Sequence, residues 1–193
     1  MIPIEKLRRT LAVVLPGVAV SLAGCGDSLG PGDWDATVDT IALFAIERPD
    51  LQGLPGAYDF VNQRLRVLED VGVGSEWDIA LDDAAGGGFQ LITPGAIQGF
   101  EPSAGIARVD GQAFEALQEA PSDTARYERD DPVPLVDGTV FVVRTRPDLR
   151  FSSCERFVKL ELVDADPALG TARLRFTRNP FCGDRALVPP DDR

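Results

Sequence analysis

Histidine is absent from this chain of 193 residues, and the single methionine is its first residue. Without an imidazole, the chain cannot form a Ser-His or Cys-His catalytic pair. Zinc would have to be held without the nitrogen ligand that most zinc sites use. Carboxylates are plentiful, but none shows the alternating spacing of a calcium loop. The sequence therefore predicts a protein that is not an enzyme and holds no metal.

Basic residues are scarce, with 19 Lys and Arg against 31 Asp and Glu and a formal net charge of −12. Loss of residues 1–24, argued below, removes one acidic and three basic residues and brings the charge to about −14. Such a surface repels the phosphates of nucleic acids, so DNA or RNA binding is not expected. It repels anionic lipid headgroups in the same way, which leaves a covalent lipid as the predicted attachment to a membrane.

The N-terminal apolar run is too short for a membrane-spanning helix. It covers residues 11–23 and is interrupted by Pro16, whereas a helical span needs about 20 apolar residues. Three basic residues precede it within 6–9. A basic start followed by a short apolar run is typical of a secretory signal peptide.

The run ends in Leu22-Ala23-Gly24-Cys25, which resembles the bacterial lipobox. Cleavage before Cys25 would leave a diacylated cysteine as the first residue, fixed to a membrane by its acyl chains. We therefore expect an exported, lipid-anchored protein of the bacterial cell envelope. The alternative is an ordinary secretory signal with a chance cysteine. The predicted organisation is a signal peptide at 1–24, a lipidated tether at 25–35 and one β-rich domain at 36–193.

Short apolar runs separated by turn residues dominate the domain and predict an all-β fold. We expect a two-layer antiparallel, sandwich-like sheet protein with one short helix. Segment 40–47 is apolar on both faces and predicts a central strand, and 138–146 predicts another buried strand. Segment 110–121 predicts the helix, because it starts at an Asp that can cap it and ends at a proline.

Segment 77–81 predicts a half-buried strand that leads into a glycine-rich loop. Its residues Trp77, Ile79 and Leu81 alternate with Asp78 and Ala80, so the first three are expected to share the buried face. The triple glycine at 86–88 lacks the Lys and Ser or Thr of a phosphate-binding P-loop. It is interpreted as a wide hairpin loop, and Trp77 as a core residue.

Two hairpins are specific enough to predict a register. In 57–69, a turn at Asn62-Gln63 pairs Tyr58 with Val67, Phe60 with Leu65 and Asp59 with Arg66. In the C-terminal hairpin, paired residue numbers sum to 334. This register pairs Val158 with Phe176, Leu160 with Leu174, Leu162 with Ala172 and, on the solvent side, Glu161 with Arg173.

Cys154 and Cys182 are the two cysteines left once Cys25 is acylated, and an oxidising compartment favours a disulfide between them. The register above places Cys154 opposite Pro180, so Cys182 is one same-face step away. That diagonal is about 7–8 Å in an ideal ladder, slightly longer than a disulfide allows. Pro180 could bend the strand inward. The alternatives are two free buried thiols or a bridge between molecules.

Several stretches together resemble the HmuY-like family of outer-membrane haem-binding lipoproteins. They span roughly 57–178, in addition to the lipobox. They are "WDIA" at 77–80, "GGGFQLITPGA" at 86–96, "AFEALQEAP" at 113–121, "TVFVVRT" at 139–145, "FVKLEL" at 157–162 and "LRFTR" at 174–178. The resemblance implies an outer-membrane lipoprotein, and haem or a related tetrapyrrole as the ligand.

Members of that family hold the haem iron with His and sometimes Met, and the mature chain has neither. A tyrosine phenolate is the remaining type of axial ligand. Tyr58 is expected in the core of the first hairpin. Tyr127 lies in a polar stretch with Arg126 and Arg129, which could bind a carboxylate or a haem propionate. The alternative is a loop tyrosine among solvated charges.

The sequence thus predicts a non-enzymatic binding module that takes a small molecule or an envelope protein. The alternative is a structural or assembly lipoprotein that docks to another envelope component and has no ligand pocket. A carboxylate-dependent glycan hydrolase is a more distant hypothesis. An apolar cleft near Tyr127 would favour the first, and a filled core would favour the second.

Overall fold

A computed structural model describes residue 34 and the ranges 37–98, 104–151 and 153–190. Two five-stranded antiparallel sheets enclose the hydrophobic core, and the described residues contain one α-helix of five residues. This confirms the predicted all-β, two-layer architecture. The predicted signal peptide, Cys25 and nearly all of the tether lie outside the described residues.

The first sheet has the strand order β1-β10-β9-β8-β6 and the second β3-β2-β4-β5-β7. The bounds in the first sheet are β1 Asp39–Phe44, β6 Gly105–Val109, β8 Val140–Arg144, β9 Phe157–Asp166 and β10 Thr171–Arg178. Those in the second are β2 Ala57–Asp59, β3 Arg64–Arg66, β4 Ile79–Asp83, β5 Phe89–Ile92 and β7 Val133–Pro134. The helix α1 is Pro94–Gln98, and single 3₁₀ turns lie at Pro49–Leu51, Thr124–Arg126 and Leu149–Phe151.

The main core fills the space between the two sheets. Leu43, Leu160 and Leu174 from the first sheet meet Ile79 and Leu81 from the second, and all five side chains are buried. Burying a leucine or isoleucine side chain stabilises the fold by about 1.5–3 kcal/mol. This shared apolar layer is the main reason that the two sheets stay together.

Strand β1 lies at an edge, which corrects the prediction of a central strand at 40–47. It pairs only with β10 among the described strands. Ile41 and Leu43 face the core, while Thr40 and Ala42 are exposed. The segment was predicted to be apolar on both faces because Ala42 lies on the outer face. Exposing the methyl group of one alanine costs little free energy. Segment 138–146 does contain the expected buried strand, β8.

Both hairpins form, but each register differs by two residues from the prediction. In the C-terminal hairpin, Leu160 faces Phe176 and Glu161 faces Arg175, so paired numbers sum to 336 there. Next to the turn, where the Asp166 carboxylate accepts the backbone N–H groups of Ala168 and Leu169, paired numbers sum to 337, and a β-bulge between Arg173 and Leu174 brings the sum to 336. A slip of two residues keeps every side chain on its predicted face.

The first hairpin pairs Tyr58 with Leu65 and Asp59 with Arg64. Here too a carboxylate sets the turn, since Asp59 accepts the backbone N–H of Asn62. Tyr58 is buried in the main core, as expected, whereas Asp59 is buried and not solvated. The predicted cross-strand pairing of Asp59 with Arg66 is therefore wrong, because Arg66 lies opposite Ala57.

Segment 110–121 is not a helix. It contains one helical turn, in which Leu117 N–H bonds to the carbonyl of Ala113. The buried ammonium group of Lys159 donates to the carbonyls of Phe114 and Leu117, at 2.9 and 3.2 Å, which a continuing helix would have used. Further on, Leu187 N–H bonds to the carbonyl of Gln118. These hydrogen bonds to distant residues replace the hydrogen bonds that a helix would form. The helix predicted from the local sequence pattern is therefore absent.

Trp77 is a core residue, as predicted, but on the opposite side of its sheet from the expected one. It precedes β4 and packs with Ala57 and Ala80, away from the main core that holds Ile79 and Leu81. Its indole N–H donates to the carbonyl of Gly74, at 2.9 Å. Strand β4 is therefore buried on both faces, which the half-buried prediction missed.

Candidate functional site

A cleft of about 330 Å³ opens at one end of the sandwich, which we call the cleft end. Three segments line it: residues around the β2–β3 turn, a short piece before β4, and the loop that follows β8. The lining side chains are Val61, Asn62 and Arg64, then Ser75 and Glu76, then residues 146–150. Arginine and carboxylate side chains dominate this lining.

Asp78, a buried carboxylate, ties these segments together behind the cleft. It accepts backbone N–H groups from Phe60, at 2.6 Å, and from Arg146, at 2.8 Å. Burial raises the pKa of Asp78 to about 6, although the Arg146 charge and these hydrogen bonds oppose the rise. One side chain therefore joins the end of β2 to the loop after β8.

Asp59, also fully buried, binds the arginines beside it. The guanidinium of Arg146 lies 2.8 Å from its carboxylate, and that of Arg64 lies 3.3 Å away. The side-chain amide of Asn62 donates to the same carboxylate, at 2.7 Å. A buried charge with this many donors is well compensated, so the base of the cleft is preorganised.

The loop of residues 148–154, called the Cys loop below, has a tight base. Asp148 N–H donates to the carbonyl of Cys154, at 2.7 Å, and Cys154 N–H donates to that of Phe151, at 3.1 Å. The Asp148 carboxylate accepts the Arg150 guanidinium, at 3.0 Å, which lowers the pKa of Asp148. Arg156 lies 3.7 Å from the same carboxylate. The loop is closed on itself by charge-assisted hydrogen bonds.

The disulfide between Cys154 and Cys182 is present, as predicted, with its Cα atoms 5.1 Å apart. The observed register explains why this separation is short enough. Residue numbers that sum to 336 place Cys154 directly across from Cys182, and not diagonal to it. The strand pairing itself ends at Val158 and Arg178, so this alignment extends the register beyond the last paired residues. The bridge fixes the end of the Cys loop to the segment after β10.

The tip of the Cys loop presents two large apolar side chains to solvent. Leu149 is 75% exposed and Phe151 is 59% exposed. Between them, Arg150 donates to the side-chain oxygen of Asn62 across the cleft, at 2.8 Å. The tip is therefore held on both sides, by the disulfide end of the loop and by the β2–β3 turn.

Tyr127, Arg126 and Arg129 are not brought together as a ligand site. Tyr127 is buried in a second apolar cluster, and its hydroxyl donates to the carbonyl of Pro121, at 3.0 Å. Burial raises the pKa of Tyr127 to about 12, which opposes the phenolate form. Arg126 is exposed and donates to the carbonyl of Arg108.

Arg129 is half-buried, and its carbonyl accepts the hydroxyl of Thr93. None of the residues that line the cleft described above belongs to the Tyr127 segment, but Arg126 and Pro121 line a second cleft of about 330 Å³, which Tyr127 and Arg129 do not line. The triple glycine at 86–88 forms the exposed β4–β5 hairpin loop, as expected, with Gly87 at φ +90°. A positive φ of this kind suits glycine.

Sequence reasoning missed the cleft because its residues come from distant segments. The Asp59–Arg146 ion pair joins residues 87 positions apart, and the Asp78–Arg146 hydrogen bond joins residues 68 apart. One feature of the sequence could have indicated the cleft end. Leu149, Arg150 and Phe151 form an apolar and basic triplet a few residues before a cysteine.

The described residues hold no group of three or more His, Cys, Asp or Glu side chains placed to bind a metal ion. Within the same ranges, none of the helices has the length and hydropathy to cross a membrane. No family model, no curated protein and no solved structure matches this chain, so the HmuY-like resemblance stays a prediction.

Proposed function

We propose that the protein is an exported, lipid-anchored, non-enzymatic module of the bacterial cell envelope, and that the cleft end is its binding face. The anchor is the diacylated Cys25 that the Leu22-Ala23-Gly24-Cys25 sequence indicates. The partner is a component of the envelope.

The observation that carries the binding face is the Cys loop. It displays Leu149 and Phe151 to solvent, and its two ends are held by the Cys154–Cys182 disulfide and by the ion pairs of Asp148 with Arg150 and Arg156. Exposed apolar side chains on a rigid support bind without a large loss of conformational entropy. A loop that only connected β8 to β9 would not need this reinforcement.

Binding at the surface is favoured over binding between the sheets. The inter-sheet space is filled by fully buried side chains such as Leu81, Phe141 and Leu160. A ligand the size of a tetrapyrrole would have to displace them. The packing thus supports docking to an envelope component, the alternative drawn from the sequence, over an enclosed small-molecule pocket.

The chemistry of the cleft also favours binding over catalysis. Asp148 pairs with Arg150 and has a lowered pKa, so it is ionised and hydrogen-bonded at neutral pH. Glu76 pairs with Arg64 and Arg66. A general acid would need a carboxyl group that is protonated near neutral pH. The paired carboxylates instead orient the arginines.

The anchor is tested by expressing the full chain in a bacterial host with labelled palmitate and by measuring the mass of its N-terminal peptide. We expect a diacylated Cys25 in the wild type. Cys25→Ala should take up no label and remain unprocessed or leave the membrane fraction. Acylation of the Cys25→Ala variant would disprove the lipobox assignment.

The binding face is tested by replacing Leu149 with a photoreactive amino acid in the same cells. The matched control is Leu169, an exposed leucine in the β9–β10 turn at the other end of those strands. We expect cross-links to an envelope component from position 149 and few from 169. Equal labelling from both positions would contradict a binding face at the cleft end.

A further inference from the structure

The Cys loop lies at the end of the first sheet where the chain enters it. β1 begins with Asp39, which pairs with Phe176 close to the end of β10. β9 begins at Phe157 at this same end, and the Cys loop immediately precedes it. The N-terminal side of the chain and the exposed tip therefore meet at one end of the sandwich.

The domain cannot be far from an anchor on Cys25. Trp34 is buried against the domain, and it lies nine positions after Cys25 in the sequence. Nine residues span at most about 30 Å when fully extended. An acylated Cys25 thus keeps the domain within reach of the bilayer surface.

The apolar tip has the composition of an interfacial anchor. Leu149 and Phe151 occupy one 3₁₀ turn and are exposed, and the Arg150 guanidinium lies 5.8 Å from the centre of the Phe151 ring. Single exposed apolar residues are common on proteins. Two large ones on a rigid turn, flanking an arginine whose stem can lie along the acyl boundary, suit the headgroup region of a bilayer.

The charge that this end presents differs from that of the whole chain. The side chains of Arg64 and Arg150 are 48% and 63% exposed, whereas Asp59 and Asp148, their partners, are buried. Glu76, at 60%, is the exposed acid of the described cleft lining. Asp59 and Asp148 lie beneath Arg64 and Arg150, whereas Glu76 is exposed and pairs with Arg64 at 3.2 Å, so Arg150 is the exposed cation with a buried partner that a phosphate group would meet.

Arg150 can bind a phosphate without breaking its own contacts. Its hydrogen bonds to Asp148 and Asn62 use Nε and Nη2. Within the described ranges this leaves the Nη1 donors for an external oxygen. A guanidinium that is already oriented loses little entropy when it binds a phosphate.

We infer that the cleft end docks on a phospholipid surface, with Leu149 and Phe151 inserted among the acyl chains and Arg150 and Arg64 on the headgroup phosphates. This inference rests on the proposed function, because it names the partner of the same binding face. It gives the anchored domain a fixed orientation, with β3 and the Cys loop toward the lipid and the β9–β10 turn away from it.

The test uses the full, processed and acylated protein in vesicles of phosphatidylethanolamine with a minor fraction of phosphatidylglycerol, some lipids carrying brominated acyl chains. Phe151→Trp places a fluorophore at the tip, and Leu169→Trp is the control at the opposite turn. The native Trp34 and Trp77 are buried and contribute equally to both variants. Circular dichroism checks that both variants fold as the wild type does.

We expect the emission of Phe151→Trp to shift to the blue and to be quenched by the brominated lipids, and that of Leu169→Trp to do neither. Absence of quenching at 151, or equal quenching at both positions, would overturn the inference. Photo-cross-linking from position 151 to a protein, with no lipid adduct, would overturn it as well and indicate a protein partner.

Failure of this inference can be told apart from failure of the proposed function. If mass spectrometry shows the acyl chains but the fluorophore of Phe151→Trp is not quenched, the lipid anchor is supported and the lipid docking is refuted. If Cys25 carries no lipid, yet added vesicles quench the same fluorophore, the lipid docking is supported and the lipid anchor is refuted.

Discussion

Removal of the Cys154–Cys182 bridge should lower the free energy of unfolding by about 3.5 kcal/mol. The two cysteines are 28 positions apart, and together they close the whole β9–β10 hairpin into a covalent loop. In the chain-entropy model, opening a loop of nearly thirty residues in the unfolded state costs roughly 3–4 kcal/mol of stability. The change to make is the double replacement Cys154→Ala and Cys182→Ala, which leaves no unpaired thiol.

The assay is urea unfolding of the processed protein in detergent, followed by tryptophan fluorescence. With a slope of about 2 kcal/mol per molar urea for a domain of this size, the midpoint should fall by about 1.8 M. The wild type under reducing conditions should unfold at the midpoint of the double variant. Leu169→Ala, at an exposed position, serves as the control and should leave the midpoint unchanged.

A fall of less than about 0.5 M would refute this reasoning, because it corresponds to about 1 kcal/mol. Such a result would mean that the observed hairpin register, and not the bridge, keeps the strand ends together. Hydrogen exchange separates a local effect from the global one. The amides of Asp148 and Cys154, which close the base of the Cys loop, should exchange faster in the double variant even below the unfolding transition.

Three further predictions concern single side chains. Lys159→Met should lower the free energy of unfolding by about 2–3 kcal/mol in urea titrations, because two buried carbonyls lose a charged donor. A loss under about 0.5 kcal/mol would contradict the role assigned to Lys159. The pKa of Asp78, about 6 when folded, lies above the ordinary aspartate value of 3.8, so the stability that Asp78 contributes should be full below about pH 4 and should be lost as pH rises through about 6. Unfolding measured from about pH 4 to about pH 7 should therefore show the difference between wild type and Asp78→Asn shrinking with pH, and a constant difference would disprove the shift. Haem titration of the processed protein should give no six-coordinate low-spin spectrum, because Tyr127 is hydrogen-bonded in the core; a tight complex that survives Tyr127→Phe and Tyr58→Phe would show that other side chains hold the iron.

The faces of the strands could be predicted, and their register could not. Alternation in "FVKLEL" and "LRFTR" correctly placed Leu160, Leu174 and Phe176 on the core side. A shift of two residues preserves that alternation, so the pattern carries no information about it. The register depends on the turn, where the Asp166 side chain accepts two backbone N–H groups, and on a β-bulge between Arg173 and Leu174. The same shift brought Cys154 directly across from Cys182.

The predicted helix failed for a reason that lies outside its own segment. Residues 110–121 carry a capping aspartate, helix-forming residues and a terminal proline, all of which favour a helix. Lys159, more than forty positions further along the chain, binds the carbonyls of Phe114 and Leu117. A buried ammonium group without acceptors costs more than one short helix stabilises. Only the folded neighbourhood shows that conflict.

The net charge of the chain does not describe how charges are arranged at the cleft end. A net charge of −12 predicts repulsion from every anionic partner. At the cleft end, however, Asp59, Asp78 and Asp148 are buried and satisfied by donors, so they bind the arginines from beneath. Arg64, Arg150 and the exposed Glu76 are then among the charged side chains that an approaching anion meets. Buried acidic residues thus hold arginine side chains in place at the cleft end, and under the lipid-docking inference Arg150 is the group that a headgroup phosphate would meet.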